Sequence, residues 1–314
     1  MKRTVFWKNR FILVGMIVLA LLFINACSGD EYPKQSSKDE AITYLADPIS
    51  NAEIWGMWPD GSQKTLLVQG SEGREVVQQT LSPDGRTMVY VVHSPRGQML
   101  SQVLETGAIT ILVDDGGTSF DPTPSYSYDG TKIVYCMSDG NSVDHGIRIM
   151  NADGTNIQVL TELDNDVSPA FNRDGTKIVF DRGWNGSIVV MNADGSGLTV
   201  VKYDTEDFSY GHPQFLPDGR IVCMRDGISK DIVIMNADGS NEINLTPDTD
   251  ASDEFAPTVN NAGNKIAFAT DRNDADDIYV GTLTGDSLTD LKNLTEDVDY
   301  DCWRPRFSAI PIMP

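Results

Sequence analysis

The phrase Met-Asn-Ala-Asp-Gly occurs at 150–154, 191–195 and 235–239, each time closing a short apolar run. A second phrase interleaves with it: TLSPDGRTMVY at 80–90, PSYSYDGTKIVY at 124–135, PAFNRDGTKIVF at 169–180, PQFLPDGRIVCM at 213–224 and PTVNNAGNKIAF at 257–268. Its turn glycines, Gly85, Gly130, Gly175, Gly219 and Gly263, lie 45, 45, 44 and 44 residues apart. Self-similarity at this period leaves few architectures open, because each unit must bury one face against the next.

Each unit reads as four short strands. In the fourth copy PQF opens, RIVCM follows, DIVIMN comes third and INLT closes. Asp-Gly and Asn-Ala-Asp-Gly are hairpin signals, because Gly, and to a lesser degree Asn and Asp, accept the positive φ of tight turns. WPDG (58–61), ETG (105–107) and LTG (283–285) are counterparts of the second turn in other units. After residue 40 no segment sustains a 3.6-residue apolar period, so helices are not expected. Four antiparallel strands per unit make a propeller blade.

Five complete units begin at these phrases. The C-terminus adds one more opening strand, Arg304-Pro305-Arg306-Phe307-Ser308, and the N-terminus supplies AITYLA (41–46), EIWGMW (53–58) and KTLLV (64–68). Pairing the two ends completes a sixth blade and removes free strand edges. The expected fold is all-β: a six-bladed β-propeller of four-stranded antiparallel blades over 41–314, closed by pairing of the C-terminal strand with the N-terminal strands.

These phrases resemble the repeat of TolB-like, WD-type propellers, P-x-F-S-P-D-G-x-x-I-x-F followed by D-I-Y-x-M-N-x-D-G-S. Asp277-Ile278-Tyr279-Val280 and Asp231-Ile232-Val233-Ile234-Met235-Asn236 are close copies of the second. The resemblance covers residues 41 to 308 and speaks to the blade skeleton rather than to function. TolB itself is a soluble periplasmic protein with an additional N-terminal domain that engages the Tol machinery. This chain is expected to have no room for that domain and to carry its own lipid anchor.

The anchor is read from residues 1–27. Lys2, Arg3, Lys8 and Arg10 precede the apolar run Phe11–Ile24, the layout of a secretory signal. Ile24-Asn25-Ala26-Cys27 resembles a bacterial lipobox, in which the Cys becomes a lipid-bearing N-terminus; the alternative is a retained membrane anchor. Ser28, in place of Asp, points by analogy to the outer membrane, periplasmic or surface-facing. Residues 28–40 form a flexible tether in this reading. The remaining Cys136, Cys223 and Cys302 are odd in number and lack a CxxC pair, so they are expected as buried apolar side chains.

The chain carries 46 acidic and 24 basic residues, a net charge of −22 that becomes −26 without the leader's four bases. Nucleic acid, whose binding releases counterions through Lys and Arg, is therefore not an expected partner. Strand parity places the Asp-Gly turns on one rim and the longer links on the other. The six links between blades hold 19 acids against three bases. An acidic channel mouth is expected there, lined by Asp121, Asp166, Asp253, Glu254 and Asp301 and interleaved with Tyr210, Phe255 and Trp303. No cofactor is expected; a cation at such a mouth would be Ca²⁺, given hard oxygen ligands. Asp271–Asp276 is no EF-hand, since its sixth position lacks Gly.

Enzyme signatures are weak. Gly285-Asp286-Ser287-Leu288 spells GDSL but sits in register with the Asn-Ala-Asp-Gly turns, and no His follows it. No G-x-S-x-G elbow is present, and His93, His145 and His212 come from different blades. The leading expectation is a non-catalytic propeller binding an envelope protein or basic peptide, touching the membrane only through its lipid. The alternative is a carbohydrate-binding or carbohydrate-active propeller, a lyase or glycosidase.

Overall fold

Side chains inside the turns decide where each strand stops. In the outer turns the Asn amide donates to a Ser or Thr hydroxyl four residues on, and the intervening Asp accepts that residue's amide and hydroxyl. Asn192 Nδ2 lies 3.0 Å from Ser196 Oγ, while Asp194 Oδ1 receives Ser196 N at 2.9 Å and Oγ at 2.6 Å. The same set recurs at Asn151-Asp153-Thr155 and Asn236-Asp238-Ser240. These hydroxyl and amide donors hold the Asp153, Asp194 and Asp238 carboxyls below the usual carboxylate range.

A computed structural model of the chain describes residues 40–47, 52–70, 75–93, 97–114, 122–138, 145–162, 164–183, 186–247, 252–273 and 275–308. The leader, Cys27 and nearly all of the tether fall outside these. Every regular element among the described residues is a strand. The strands form six antiparallel sheets of four, the blades of one propeller.

Blade 1 joins the two ends of the chain. Ile42–Ala46, Glu53–Met57 and Thr65–Val68 are its outer three strands, and Cys302–Phe307 is its innermost. The pairs are Ile42 with Phe307, Thr43 with Arg306, Leu45 with Trp303 and Ala46 with Cys302. Blades 2 to 6 follow in chain order, with inner strands Glu75–Leu81, Ser125–Tyr126, Asp166–Phe171, Ser209–Phe215 and Glu254–Val259. The expected closure is the observed one.

The core is divided among the blade interfaces. Six apolar clusters each draw on two neighbouring blades, as Val134, Cys136 and Ile147 of blade 3 meet Phe171, Ile178 and Phe180 of blade 4. Cys136, Cys223 and Cys302 are free thiols buried among these side chains.

The inner strands are longer than a Pro-initiated strand would be. In blades 4, 5, 6 and 1 they start at least three residues before Pro169, Pro213, Pro257 and Pro305. A register shift at each Pro allows this, because Pro cannot donate to the ladder and is tolerated at a bulge. The preceding residues, Ser168, His212, Ala256 and Arg304, all sit at positive φ, between 50° and 53°.

The glycines of the three Asn-Ala-Asp-Gly turns meet the blade before them. Gly195 has φ +86°, and a Cβ there would stand 3.2 Å from the Leu160 carbonyl oxygen. Gly175, in an inner turn, has φ +71° and nothing within 4 Å of such a Cβ. Gly175→Ala should therefore cost only the left-handed backbone penalty, about 1 kcal/mol. Gly195→Ala adds a clash with backbone and should cost about 2–3 kcal/mol in chemical denaturation.

Candidate functional site

The links between blades share a rim with the links between second and third strands, and hydrogen bonds cross between the two sets. Asp253 N donates to Asp271 Oδ1 at 2.8 Å, Asp276 N to Asp301 Oδ1 at 3.2 Å, and Cys302 N to the Asp276 carbonyl at 2.6 Å. Asp253, Asp271, Asp276 and Asp301 thus form an acidic arc on blade 6. Burial, then Asp301, Asp271, Asp277 and Asp253, raise the Asp276 carboxyl above its ordinary range. One base enters the arc: Lys230 pairs with Asp253 and donates its amide to the other carboxylate oxygen at 3.0 Å.

Other acids near this rim are folded into the blades. Asp166 and Glu254 belong to inner strands and are fully buried. Arg182, ending the second strand of blade 4, grips Asp166 with two bonds of 2.6 and 2.8 Å. Arg272, just past the second strand of blade 6, donates to Glu254 Oε1 at 2.9 and 3.1 Å, alongside the Ser252 hydroxyl at 2.9 Å. Glu254 Oε2 has no partner, and burial raises this carboxyl despite the Ser252 and Arg272 bonds.

Tyr210 lies in a similar network. Its buried hydroxyl donates to Glu242 at 3.0 Å, and Glu242 also accepts Lys202 at 2.7 Å and Arg225 at 3.0 Å. Trp303 packs half-buried against both clusters flanking blade 1, and Phe255 against the cluster between blades 6 and 1. The structure therefore gathers Asp253 and Asp301 on one exposed arc, and holds Asp166, Glu254 and Tyr210 inside blades. Asp121 lies outside the described residues. Among the described residues no group of three or more His, Cys, Asp or Glu is placed to hold a metal ion.

The channel holds different chemistry. A cavity of about 110 Å³ is bounded by the inner strands, running from Ser168 and His212 to the turn residues Pro83, Tyr128 and Asn261. It lies toward the Asp-Gly end, away from the acidic arc. At that end the Arg173 guanidinium sits over the Tyr128 ring at 5.7 Å and donates to the Asn261 carbonyl at 2.5 Å. Glu40 accepts the Asn261 amide at 2.6 Å. Deeper in, Ser168 Oγ and His212 Nδ1 are 3.4 Å apart. The buried Asp181 carboxyl lies close to both, and its Oδ1 has no partner. Burial, then Arg304 and Arg306, push His212 down to about 3, so its imidazole is neutral.

A family model described as the TolB beta propeller domain matches residues 31–307. The chain belongs to that family. No curated protein sequence matches it. Among solved structures, TolB from Acinetobacter baumannii superposes with a TM-score of 0.70 at 16% identity, over 86% of this chain and 66% of that one. This chain thus spans about two thirds of that TolB. A chain of a nidogen/laminin complex gives 0.68 at 10% identity, covering 87% and 100%. An oligogalacturonate lyase in complex with manganese gives 0.56 at 15% identity, covering 83% of each chain. At these identities the likenesses establish the fold alone.

In this TolB-family propeller the channel groups escaped the sequence reading, although a signal for them existed. Aligning the inner-strand prolines puts Thr123, Ser168, His212, Ala256 and Arg304 in one column, each just before its Pro. The column marks the bulge that lies beside the channel.

Asp181 should set part of the pH response. Burial raises its carboxyl from the ordinary 3.8 to about 7, so the native state holds the proton more tightly than the unfolded chain between those values. Stability is fully present below the unfolded value, declines as pH rises, and has lost this contribution above about 7. Asp181→Asn should stabilise the protein by on the order of 2 kcal/mol in alkaline buffer, and by little in acid, when melting is followed across pH.

Proposed function

We propose that this chain is a non-catalytic, protein- or peptide-binding propeller of the periplasm that presents the acidic arc of blade 6 to a basic partner. The arc carries the reading. Asp271 and Asp301 are exposed, Asp253 and Asp276 half-exposed, and Lys230 is the one base that pairs within it among the described residues. Like charges held together on a surface cost free energy that a cationic partner relieves, and such surfaces favour rate and selectivity of encounter. Trp303 and Phe255 supply apolar area beside the arc.

The same reading anchors the propeller at the outer membrane through lipid on Cys27. What supports it is the basic, apolar, Ala-Cys order of the leader.

Two experiments test these claims. Binding of a labelled lysine-rich peptide, followed by fluorescence anisotropy, should weaken roughly tenfold in an Asp271→Asn, Asp276→Asn, Asp301→Asn variant, and also in high salt. Equal affinity for wild type and variant removes the arc from the proposal. Mass spectrometry of protein extracted from membranes should find lipid-modified Cys27 as the N-terminus, and Cys27→Ala should leave the longer precursor. Processing at any other residue sinks the anchor.

A further inference from the structure

The channel cavity is chemically the reverse of the rim. None of its lining residues is Asp or Glu, in a chain with 46 acids and 24 bases. Arg306 enters it from the inner strand of blade 1, and among the described residues no carboxylate pairs with its guanidinium. Arg304, two residues earlier, adds positive charge instead of relieving it: burial first and Arg304 second pull Arg306 down to about 10. A partly buried guanidinium without a counter-ion is costly, and groups kept in that state cluster at binding sites.

Hydrogen-bond donors surround the same space. Gln214 Oε1 accepts the Val259 amide at 3.3 Å, which leaves its amino group free to donate. The Thr258 hydroxyl oxygen accepts the Phe307 amide at 3.3 Å and keeps its own proton. Ser125 and Thr80 bring further hydroxyls, and Phe215, Phe307 and Pro213 bring apolar walls. The titratable groups around this space are His212, which stays neutral, Tyr126 and Tyr128, whose hydroxyls burial pushes up, the buried Asp181, and Glu40 and Arg173 at the Asp-Gly end, where both bond to Asn261. The lining thus offers one guanidinium charge, a few neutral donors and an apolar side.

We propose that the channel is a binding site for a small organic monocarboxylate, held by the Arg306 guanidinium with its apolar portion toward Phe215 and Phe307. A planar guanidinium matches a carboxylate with two parallel bonds. A single lining charge suits a monoanion better than a phosphate dianion. A cavity of about 110 Å³ has room for several waters or for an acid of a few carbons. The site is independent of the acidic arc and stands whether or not that arc binds a partner.

The test uses the full chain, with acetate, propionate, butyrate and benzoate as probes, and chloride and inorganic phosphate at matched ionic strength as comparators. At least one monocarboxylate should raise the melting temperature and give measurable heat in titration calorimetry. Arg306→Gln should weaken its binding roughly tenfold or more, the loss expected when a charge-assisted bidentate contact is removed. Gln214→Glu places a carboxylate in the same cavity, so it should raise the ligand-free melting temperature and abolish the response to added acid. Three results overturn the site: no carboxylate exceeding chloride, a shift that survives unchanged in the substituted proteins, or phosphate exceeding every monocarboxylate. The arc variant of the preceding section should bind the acid as wild type does.

Discussion

One antiparallel pairing, Cys302–Phe307 against Ile42–Ala46, turns a row of sheets into a ring. Its importance goes beyond its own hydrogen bonds. Blade 1 contributes Ile42 and Tyr44 to the cluster shared with blade 6, and Leu45 and Ile54 to the cluster shared with blade 2. Trp303, on the closing strand, packs against both. Without this strand, the cluster shared with blade 6 would lose Cys302 and Phe307, both clusters would lose Trp303, and the innermost edge of blade 1 would be open to foreign strands. Ser308 fastens the same junction from its far end: its amide donates to the Ala41 carbonyl at 2.8 Å, and its Oγ accepts the Ala41 amide at 3.1 Å.

Ring closure creates a second requirement. Each inner strand has one edge with no neighbouring strand, and its buried amides need acceptors. Side chains of the preceding blade meet part of that need: Thr123 accepts Ser168 N at 2.9 Å, Gln214 accepts Val259 N, and Thr258 accepts Phe307 N. Gln79 works in the other sense, donating to the Arg304 carbonyl at 2.7 Å. The polar character of the channel is thus first a structural consequence of its exposed edges. Thr, Ser and Gln suffice for that purpose. A guanidinium does not serve it, and Arg306 stands out from the other side chains of the cavity lining for this reason.

Turn chemistry made the fold legible in the sequence. Asn, Asp, Gly and Ser recur at fixed offsets because each makes a local hydrogen bond or accepts a positive φ, and local rules survive translation into three dimensions. Blade number and closure followed from counting those turns. The candidate site was less legible, because its character depends on partners distant in sequence. Asp166 was read as a link residue, but a bulge extends its strand past Pro169, and Arg182, sixteen residues on, binds its carboxylate inside the blade. Glu254 and Arg272, eighteen residues apart, repeat the arrangement in blade 6. A strand register broken at an X-Pro pair defeats any parity count that assumes perfect alternation. Asp253 and Asp301 avoid this problem, since they precede the strands rather than belong to them.

The two sets of charges differ in how solvent treats them, and this lets one acidic protein present opposite signs. The rim acids face water and ions, where charges separated by more than about 8–10 Å are largely screened at physiological salt. Arg306 is enclosed by inner strands and is screened far less, so a short-range field of the opposite sign persists inside the ring. Net charge then governs what approaches the propeller from a distance, while the channel lining governs what is retained once inside. A chain of net charge −22 is no barrier to an anion that has already entered the channel. There the charged side chain on the lining is Arg306, on the strand that closes the ring.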